Sequence, residues 1–205
     1  MAADRSFPKR RSGAAGLLLA ALLAGAPVAA LGQTTGQTAE RTESPPFSLT
    51  LSGDRSRVDL HGRIDFGITR ELTALLEATP GVRTLRLQSP GGRVAEARGL
   101  VTVVKRFALA TRARGDCASA CTLVFIAGHS RGLDPGARLG FHGYNLRSPL
   151  FGLIDPVAEM ARDSAVFHDA GVDAGFMERA MAVPHREMWF PTRHDLIGAG
   201  VIDPP

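Results

Sequence analysis

Cysteine is scarce in this chain: Cys117 and Cys121 are the only two among 205 residues. Two cysteines alone do not complete a zinc set, which takes four ligands, although His129 or His142 could in principle join them. The sequence therefore predicts neither a metal site nor a cofactor.

Lysine is equally scarce, since only Lys9 and Lys105 occur. A catalytic serine–lysine dyad in the main part of the chain would have to use Lys105. Lys105 lies near the end of a predicted helix, Val94–Ala108, and we expect its side chain to point away from the sheet edge at which the other candidate catalytic residues meet. The sequence thus argues against such a dyad.

An excess of charge of one sign is lacking beyond the N-terminal segment. Four of the 24 basic and one of the 20 acidic residues lie before Gly32, so the remaining 173 residues carry a net charge of +1. They contain no lysine or arginine cluster of the kind that attracts phosphates. We therefore predict no nucleic-acid partner.

Long hydrophobic runs are lacking as well. The apolar run from Ala14 to Gly25 falls short of the roughly 20 residues that a spanning helix needs, and Pro27 interrupts its continuation. This argues against the alternative of an uncleaved membrane anchor. A basic stretch before the run, with Ala30 and Gly32 at cleavage-site positions, is typical of a secretory signal peptide.

We predict a signal peptide over residues 1–32, cleaved near Gly32, and a periplasmic or secreted mature protein. Residues 33–46 are polar and aperiodic, as in a linker. This leaves residues 47–205 for a single domain, which is long enough to bury a core.

Apolar periodicity in this domain alternates between the period of strands and that of helices. Strands are predicted over Arg57–Ile64 and Thr84–Gln88, and helices over Phe66–Ala78 and Val94–Ala108. This order implies an α/β fold, a parallel sheet with crossover connections. The turn Ser89–Gly92 (SPGG) follows the second strand.

The segment Thr122–Ile126 (TLVFI) is compatible with either a buried strand or a buried helix. If it is a strand, Gly128–Gly132 (GHSRG) matches the Gly-x-Ser-x-Gly turn of α/β-hydrolases, with Ser130 as the nucleophile. That turn needs a helix beginning at the serine, and Pro135 and the neighbouring glycines leave no room for one. GHSRG is better interpreted as a surface turn.

If a helix instead begins at Ala118 or Ser119, three potential catalytic elements meet. About ten residues of helix run about 15 Å, and a strand Arg138–His142 (RLGFH) returns a similar distance. His142 then lies level with Ser119, at the sheet edge that carries the SPGG turn. Taken singly, Ser119 could be a helix cap, His142 an ordinary strand residue and SPGG a tight turn. Their order and spacing together favour a catalytic site.

The order LRLQSPGG, GDCASACTLVFIAG and RLGFH resembles the proteolytic subunit of the Clp protease and its relatives on the crotonase-like fold. The similarity covers nearly all of the domain, up to the closing DLIGAGVID. It implies Ser119 as nucleophile, His142 as base, and Gly91 or Gly92 with Ala120 as oxyanion hole. The same roles follow chemically, because glycine turns and helix starts expose backbone N–H groups.

The family's third triad member is an aspartate shortly before the closing helix. Here Glu187 is the nearest candidate, because Asp195 is more simply interpreted as a first-turn residue of that helix, after Thr192. Loss of the orienting acid in a serine triad costs about 10⁴ in turnover, yet substantial catalysis persists. A dyad with weaker support is therefore compatible with the sequence.

Export also bears on the two cysteines, because thiols oxidise outside the cytoplasm. Inside a regular helix, residues four apart have Cβ atoms about 5–6 Å apart, too far for a disulfide. Cys117 in the turn before the helix can, however, reach Cys121 in its first turn. We predict this disulfide, which would fix the backbone around Ser119; two free buried thiols are the alternative.

The sequence thus predicts an exported serine peptidase that acts on a peptide or protein without an ATPase partner. A catalytically inactive peptide-binding protein of the same fold is the first alternative. An acyl-CoA enzyme of the crotonase type is the second, although its substrate is not expected outside the cytoplasm. The relatives form rings or trimers through the helix after the histidine, here predicted at 156–170, so a homo-oligomer is possible.

Overall fold

The computed structural model describes residues 45–144 and 155–204. The predicted signal peptide and all but the last two residues of the predicted linker lie outside these ranges. Within them, no helix is both long enough and apolar enough to cross a membrane.

Six strands and six helices occur in the described part of the chain. The strands are β1 Phe47–Leu51, β2 Arg57–Gly62, β3 Thr84–Ser89, β4 Ala110–Ala118, β5 Arg131–Leu133 and β6 Arg138–Gly140. The helices are α1 Ile68–Glu77, α2 Val94–Arg106, α3 Ala120–Ile126, α4 Pro156–Asp169, α5 Ala174–Ala182 and α6 Arg193–Gly198.

The strands form one sheet in the order β1-β2-β3-β4-β5, and β6 also pairs with β4. All pairings are parallel except that of β1 with β2. Helices α1 and α2 are the crossovers that connect β2, β3 and β4, so the predicted α/β architecture with a parallel sheet is confirmed. Strand β1 was not predicted; it is an edge strand in which apolar residues alternate with polar ones before a Ser-Gly-Asp turn.

One face of the sheet packs on the helices. In β3, Leu85, Leu87 and Ser89 are buried, whereas the intervening side chains are partly exposed. The facing stripe of α1 is also buried and consists of Ile68, Leu72 and Leu76. The opposite face of the sheet carries charged side chains, such as the ion pair of Arg86 with Asp59 at 2.6 Å. A single core on one side therefore supports the carboxyl ends of the parallel strands.

A bulge in β4 determines which residues meet at that edge. Leu87 of β3 pairs with Ala113 of β4, and Ser89 pairs with Cys117. Between these two pairs, β3 advances by two residues and β4 by four. The bulge contains Gly115, whose φ of 71° favours glycine. It brings the end of β4 level with the start of the SPGG turn.

The ambiguous segment Thr122–Ile126 is helical, since it forms most of α3. This helix spans seven residues, fewer than the predicted ten or so. After α3, the chain returns through β5 and β6 parallel to β4, with Ala118 paired to Gly140. The residues that follow these two positions, Ser119 and His142 among them, consequently lie at the same end of the sheet.

Candidate active site

Ser119 lies at the junction of β4 and α3 in a strained backbone conformation, with φ 56° and ψ −128°. Residues with a Cβ rarely adopt a positive φ, and such strain tends to concentrate at functional sites. Three hydrogen bonds hold this conformation. The Ser119 N–H donates to the Gly140 carbonyl at 2.9 Å. The Thr122 N–H and hydroxyl both donate to the Ser119 carbonyl, at 2.9 and 2.8 Å.

This strand–serine–helix order is the context that a nucleophile elbow requires. It does not occur at Ser130, where a helix precedes the serine and a strand, β5, follows it. Ser130 is exposed at the surface. The structure therefore provides the elbow geometry at Ser119 and not within GHSRG.

The imidazole of His142 lies beside the Ser119 hydroxyl, with 2.8 Å between Nε2 and Oγ. A pair of backbone hydrogen bonds between Phe141 and Trp189, of 2.8 and 2.9 Å, fixes the chain just before the histidine. The distance is within the range for proton transfer from a serine to a histidine base. The structure thus brings these two predicted residues together.

The other ring nitrogen of His142, Nδ1, faces the backbone carbonyl of Gly143 at 2.7 Å. A carbonyl only accepts, so Nδ1 carries the proton and Nε2 is free to accept one from Ser119. Glu187, the predicted third triad member, makes no hydrogen bond or ion pair with His142, and its side chain is exposed. The structure does not bring Glu187 to the imidazole.

The SPGG turn packs directly against Ser119. A Cβ at Gly91 would lie 2.8 Å from the Ser119 Cβ and 3.0 Å from the Ala120 nitrogen. A Cβ at Gly92 would lie 2.1 Å from the Ile64 carbonyl oxygen. Both glycines also have a positive φ, 93° and 149°. A side chain at Gly91 would push the turn away from Ser119, and one at Gly92 would push it away from Ile64.

The two glycines differ in what their N–H groups do. The Gly91 N–H donates to the buried Ser89 hydroxyl at 3.1 Å. In the described part of the chain, the N–H groups of Gly92 and Ala120 have no hydrogen-bond acceptor. Ala120 directly follows Ser119, and Gly92 lies in the turn that packs against it, so both are candidate oxyanion donors, whereas Gly91 contributes by its lack of a side chain.

The two cysteines form a disulfide, with Cα atoms 5.3 Å apart, as predicted. Cys117 lies in β4 and Cys121 in α3, and both are fully buried. The bridge therefore connects the strand to the helix across the strained serine. A regular helix could not make this bond, but the strand-to-helix turn brings the two Cβ atoms close enough.

Replacing both cysteines with alanine should lower the free energy of unfolding by about 2 kcal/mol, because a short closed loop in the unfolded chain is lost. Urea unfolding of the oxidised wild type and of the variant measures the difference. A reductant should destabilise the wild type by a similar amount and leave the double variant unchanged. Equal stability of the oxidised wild type and the variant would contradict this role.

A buried polar network anchors the chain just after His142. Asp163 of α4 is 1% exposed and accepts two hydrogen bonds from Arg98 of α2, at 2.6 and 2.8 Å. It also accepts one from the Tyr144 hydroxyl at 2.5 Å. Burial, together with this hydrogen bond, raises the pKa of Tyr144 well above its usual value. The network holds Tyr144, two residues beyond the histidine.

Sequence reasoning missed several neighbours of the histidine. His185 contacts the His142 ring edge-on, with ring centroids 4.7 Å apart. Gly143 contacts the histidine through its backbone carbonyl. Tyr144 belongs to a hydrogen-bond network with side chains of α2 and α4. The only sequence signals are the aromatic and glycine residues directly after RLGFH, which by themselves carry no chemical assignment. Among the described residues, no group of three or more acidic, histidine or cysteine side chains is placed to hold a metal ion.

Comparison with known proteins gives no family assignment. No protein-family model matches the chain, and no curated protein matches it significantly.

Proposed function

We propose that this chain is an exported serine peptidase of the Clp type, built on the crotonase-like fold and working without an ATPase. The observation that carries the proposal is the 2.8 Å contact between Ser119 Oγ and His142 Nε2. The strained serine and the N–H groups of Gly92 and Ala120, which are unpaired among the described residues, support the same chemistry. The buried disulfide supports export, because such bonds persist in oxidising compartments.

In the acylation step, Ser119 Oγ attacks the carbonyl carbon of the peptide bond, and its proton passes to His142 Nε2. The negative charge that develops on the carbonyl oxygen is stabilised by the N–H groups of Gly92 and Ala120. His142 then gives its proton to the departing amine, and the C–N bond breaks. The product is an ester between the substrate's acyl group and Ser119.

In the deacylation step, a water molecule attacks the ester carbonyl while His142 takes its proton. The same two N–H groups stabilise the second oxyanion. Return of the proton from His142 to Ser119 Oγ releases a carboxylic acid and restores the dyad. Each half-reaction uses the same residues, so the site requires no additional proton carrier.

An exposed aromatic side chain beside the oxyanion turn favours a peptide as substrate. Phe66 is 68% exposed, and the guanidinium of Arg93 stacks on its ring at 3.7 Å from the centroid. Arg93 directly follows Gly92 and is held by Asp65 at 2.5 Å. We propose that this exposed ring, which is held against the residue that follows Gly92, contacts an apolar side chain of the substrate.

A fluorophosphonate probe tests the proposal directly, because it reacts covalently only with an activated serine. We expect the oxidised mature protein to be labelled at Ser119, and labelling to disappear in the Ser119→Ala variant. Ser130→Ala is the matched control and should be labelled like the wild type. A folded protein that the probe does not modify would instead be the inactive peptide-binding alternative, and loss of labelling in Ser130→Ala alone would favour the α/β-hydrolase reading.

A further inference from the structure

We propose that the backbone carbonyl of Gly143 is the third member of the catalytic triad, in the orienting role that an aspartate has in other serine hydrolases. The inference rests on the proposed function and adds a positioning group to it. The aspartate of a triad selects the imidazole tautomer and fixes the plane of the ring. In the described part of the chain, the Gly143 carbonyl is the hydrogen-bond partner of His142 Nδ1, at 2.7 Å.

Hydrogen bonds made by Gly143 and by its neighbours in the chain fix the position of this carbonyl. The Gly143 N–H donates to the Val183 carbonyl at 2.8 Å, which ties this residue to the end of α5. Phe141, two residues before, is paired with Trp189 through two backbone hydrogen bonds. Tyr144, the next residue, is held by buried Asp163. An acceptor fixed in this way can orient an imidazole as a side chain does.

Only glycine fits at residue 143. A Cβ there would lie 2.3 Å from the Met181 carbonyl oxygen and 3.1 Å from that of Val183. Both contacts are to backbone, which cannot turn aside as a flexible side chain does. The end of α5 therefore packs directly on the peptide unit that faces the histidine, and the close packing is what sets the carbonyl in its position.

Among the described residues, no carboxylate makes a hydrogen bond or an ion pair with the His142 imidazole. The His185 ring lies edge-on to His142. Glu187 has an exposed side chain, and its N–H donates to the Pro184 carbonyl at 2.8 Å within the same turn. A neutral carbonyl stabilises the imidazolium less than a carboxylate does. The arrangement thus fixes the tautomer and accepts a lower turnover than a full triad gives.

The carbonyl can be weakened without changing a side chain. Replacing Tyr144 with its α-hydroxy acid converts the Gly143–Tyr144 peptide bond into an ester, whose carbonyl is a poorer acceptor. The Tyr144 N–H that is lost has no acceptor among the described residues, and the bond from Tyr144 to Asp163 is kept. We expect the maximal rate of fluorophosphonate labelling at Ser119 to fall about tenfold, equivalent to one net hydrogen bond. The probe's half-saturating concentration should not change.

Glu187→Gln is the matched control and should be labelled at the wild-type rate. Gly143→Ala should lower the labelling rate about a hundredfold, as expected when a catalytic group is displaced by about 1 Å. Since this variant could also lose structure locally, nitrogen NMR of the His142 ring in the wild type gives an independent test. We expect the proton on Nδ1.

Two outcomes would overturn the inference. One is a proton on Nε2 in the neutral imidazole of the wild type. The other is an unchanged labelling rate in the ester variant, together with a large loss in Glu187→Gln, which would assign the orienting role to the carboxylate. Failure of the proposed function has a different signature, because the wild type would then not be labelled at Ser119 at all, whatever the tautomer.

Discussion

Replacing His142 with alanine is expected to lower the hydrolysis of a p-nitrophenyl ester by a factor on the order of 10⁴ to 10⁶. In the proposed mechanism, the imidazole takes the serine proton during acylation, and during deacylation it takes a proton from the attacking water and returns it to Ser119 Oγ. In serine hydrolases, removal of the histidine costs about as much as removal of the serine, because the two act as a unit. The measurement is the steady-state rate constant of the purified, oxidised variant.

A control and a double variant make this result interpretable. His129 is exposed and lies beyond α3, so His129→Ala should keep the wild-type rate. The double variant with Ser119→Ala should be no slower than either single variant, since each alone disables the dyad. A loss of less than about tenfold in His142→Ala would show that the 2.8 Å contact has no part in catalysis.

Replacing Arg98 with methionine is expected to lower the free energy of unfolding by about 3–5 kcal/mol, because it leaves a buried carboxylate without its cation. Asp163 is 1% exposed and would keep only the Tyr144 hydroxyl. The hydrogen bond between Arg98 and Asp163 is also the main reason why the pKa of Arg98 is raised. Methionine retains much of the length of the side chain, so the loss reports mainly on the charge.

The same helix, α2, contains the matched control. Arg106 makes an ion pair with Glu77 at 3.0 Å, but both side chains are more than half exposed. Exposed pairs contribute roughly 0–1 kcal/mol, so Arg106→Met should be nearly neutral. Urea unfolding of both variants measures the difference. Equal midpoints in the two curves would mean that the Asp163 network does not stabilise the fold.

Those features that leave a local pattern could be predicted from the sequence. The α/β architecture follows from alternating periodicities, and the disulfide follows from two cysteines at a strand-to-helix turn. The juxtaposition of Ser119 and His142 could be anticipated because a helix and a returning strand of matched length must end at the same level. Strand β1 leaves only a short alternation at the domain's edge, and it was missed.

The remaining parts of the site depend on the backbone and on long-range packing. A carbonyl oxygen is present at every residue, so nothing in the sequence distinguishes that of Gly143 from any other. The expectation of an acid at Glu187 came from resemblance, whereas the conformation of the turn after α5 decides which group reaches the ring. Arg98 lies on α2, Asp163 on α4 and Tyr144 in the irregular segment after β6, and no periodicity connects them.

The positive φ at Ser119 implies a trade-off between the stability of the fold and the proposed catalytic activity. A φ of 56° suits a residue without a β-carbon, so glycine there should give a more stable fold than either serine or alanine. Such a variant would have no hydroxyl with which to react. The chain is thus less stable than it could be at its proposed nucleophile, which is the compromise expected where selection favours activity over stability.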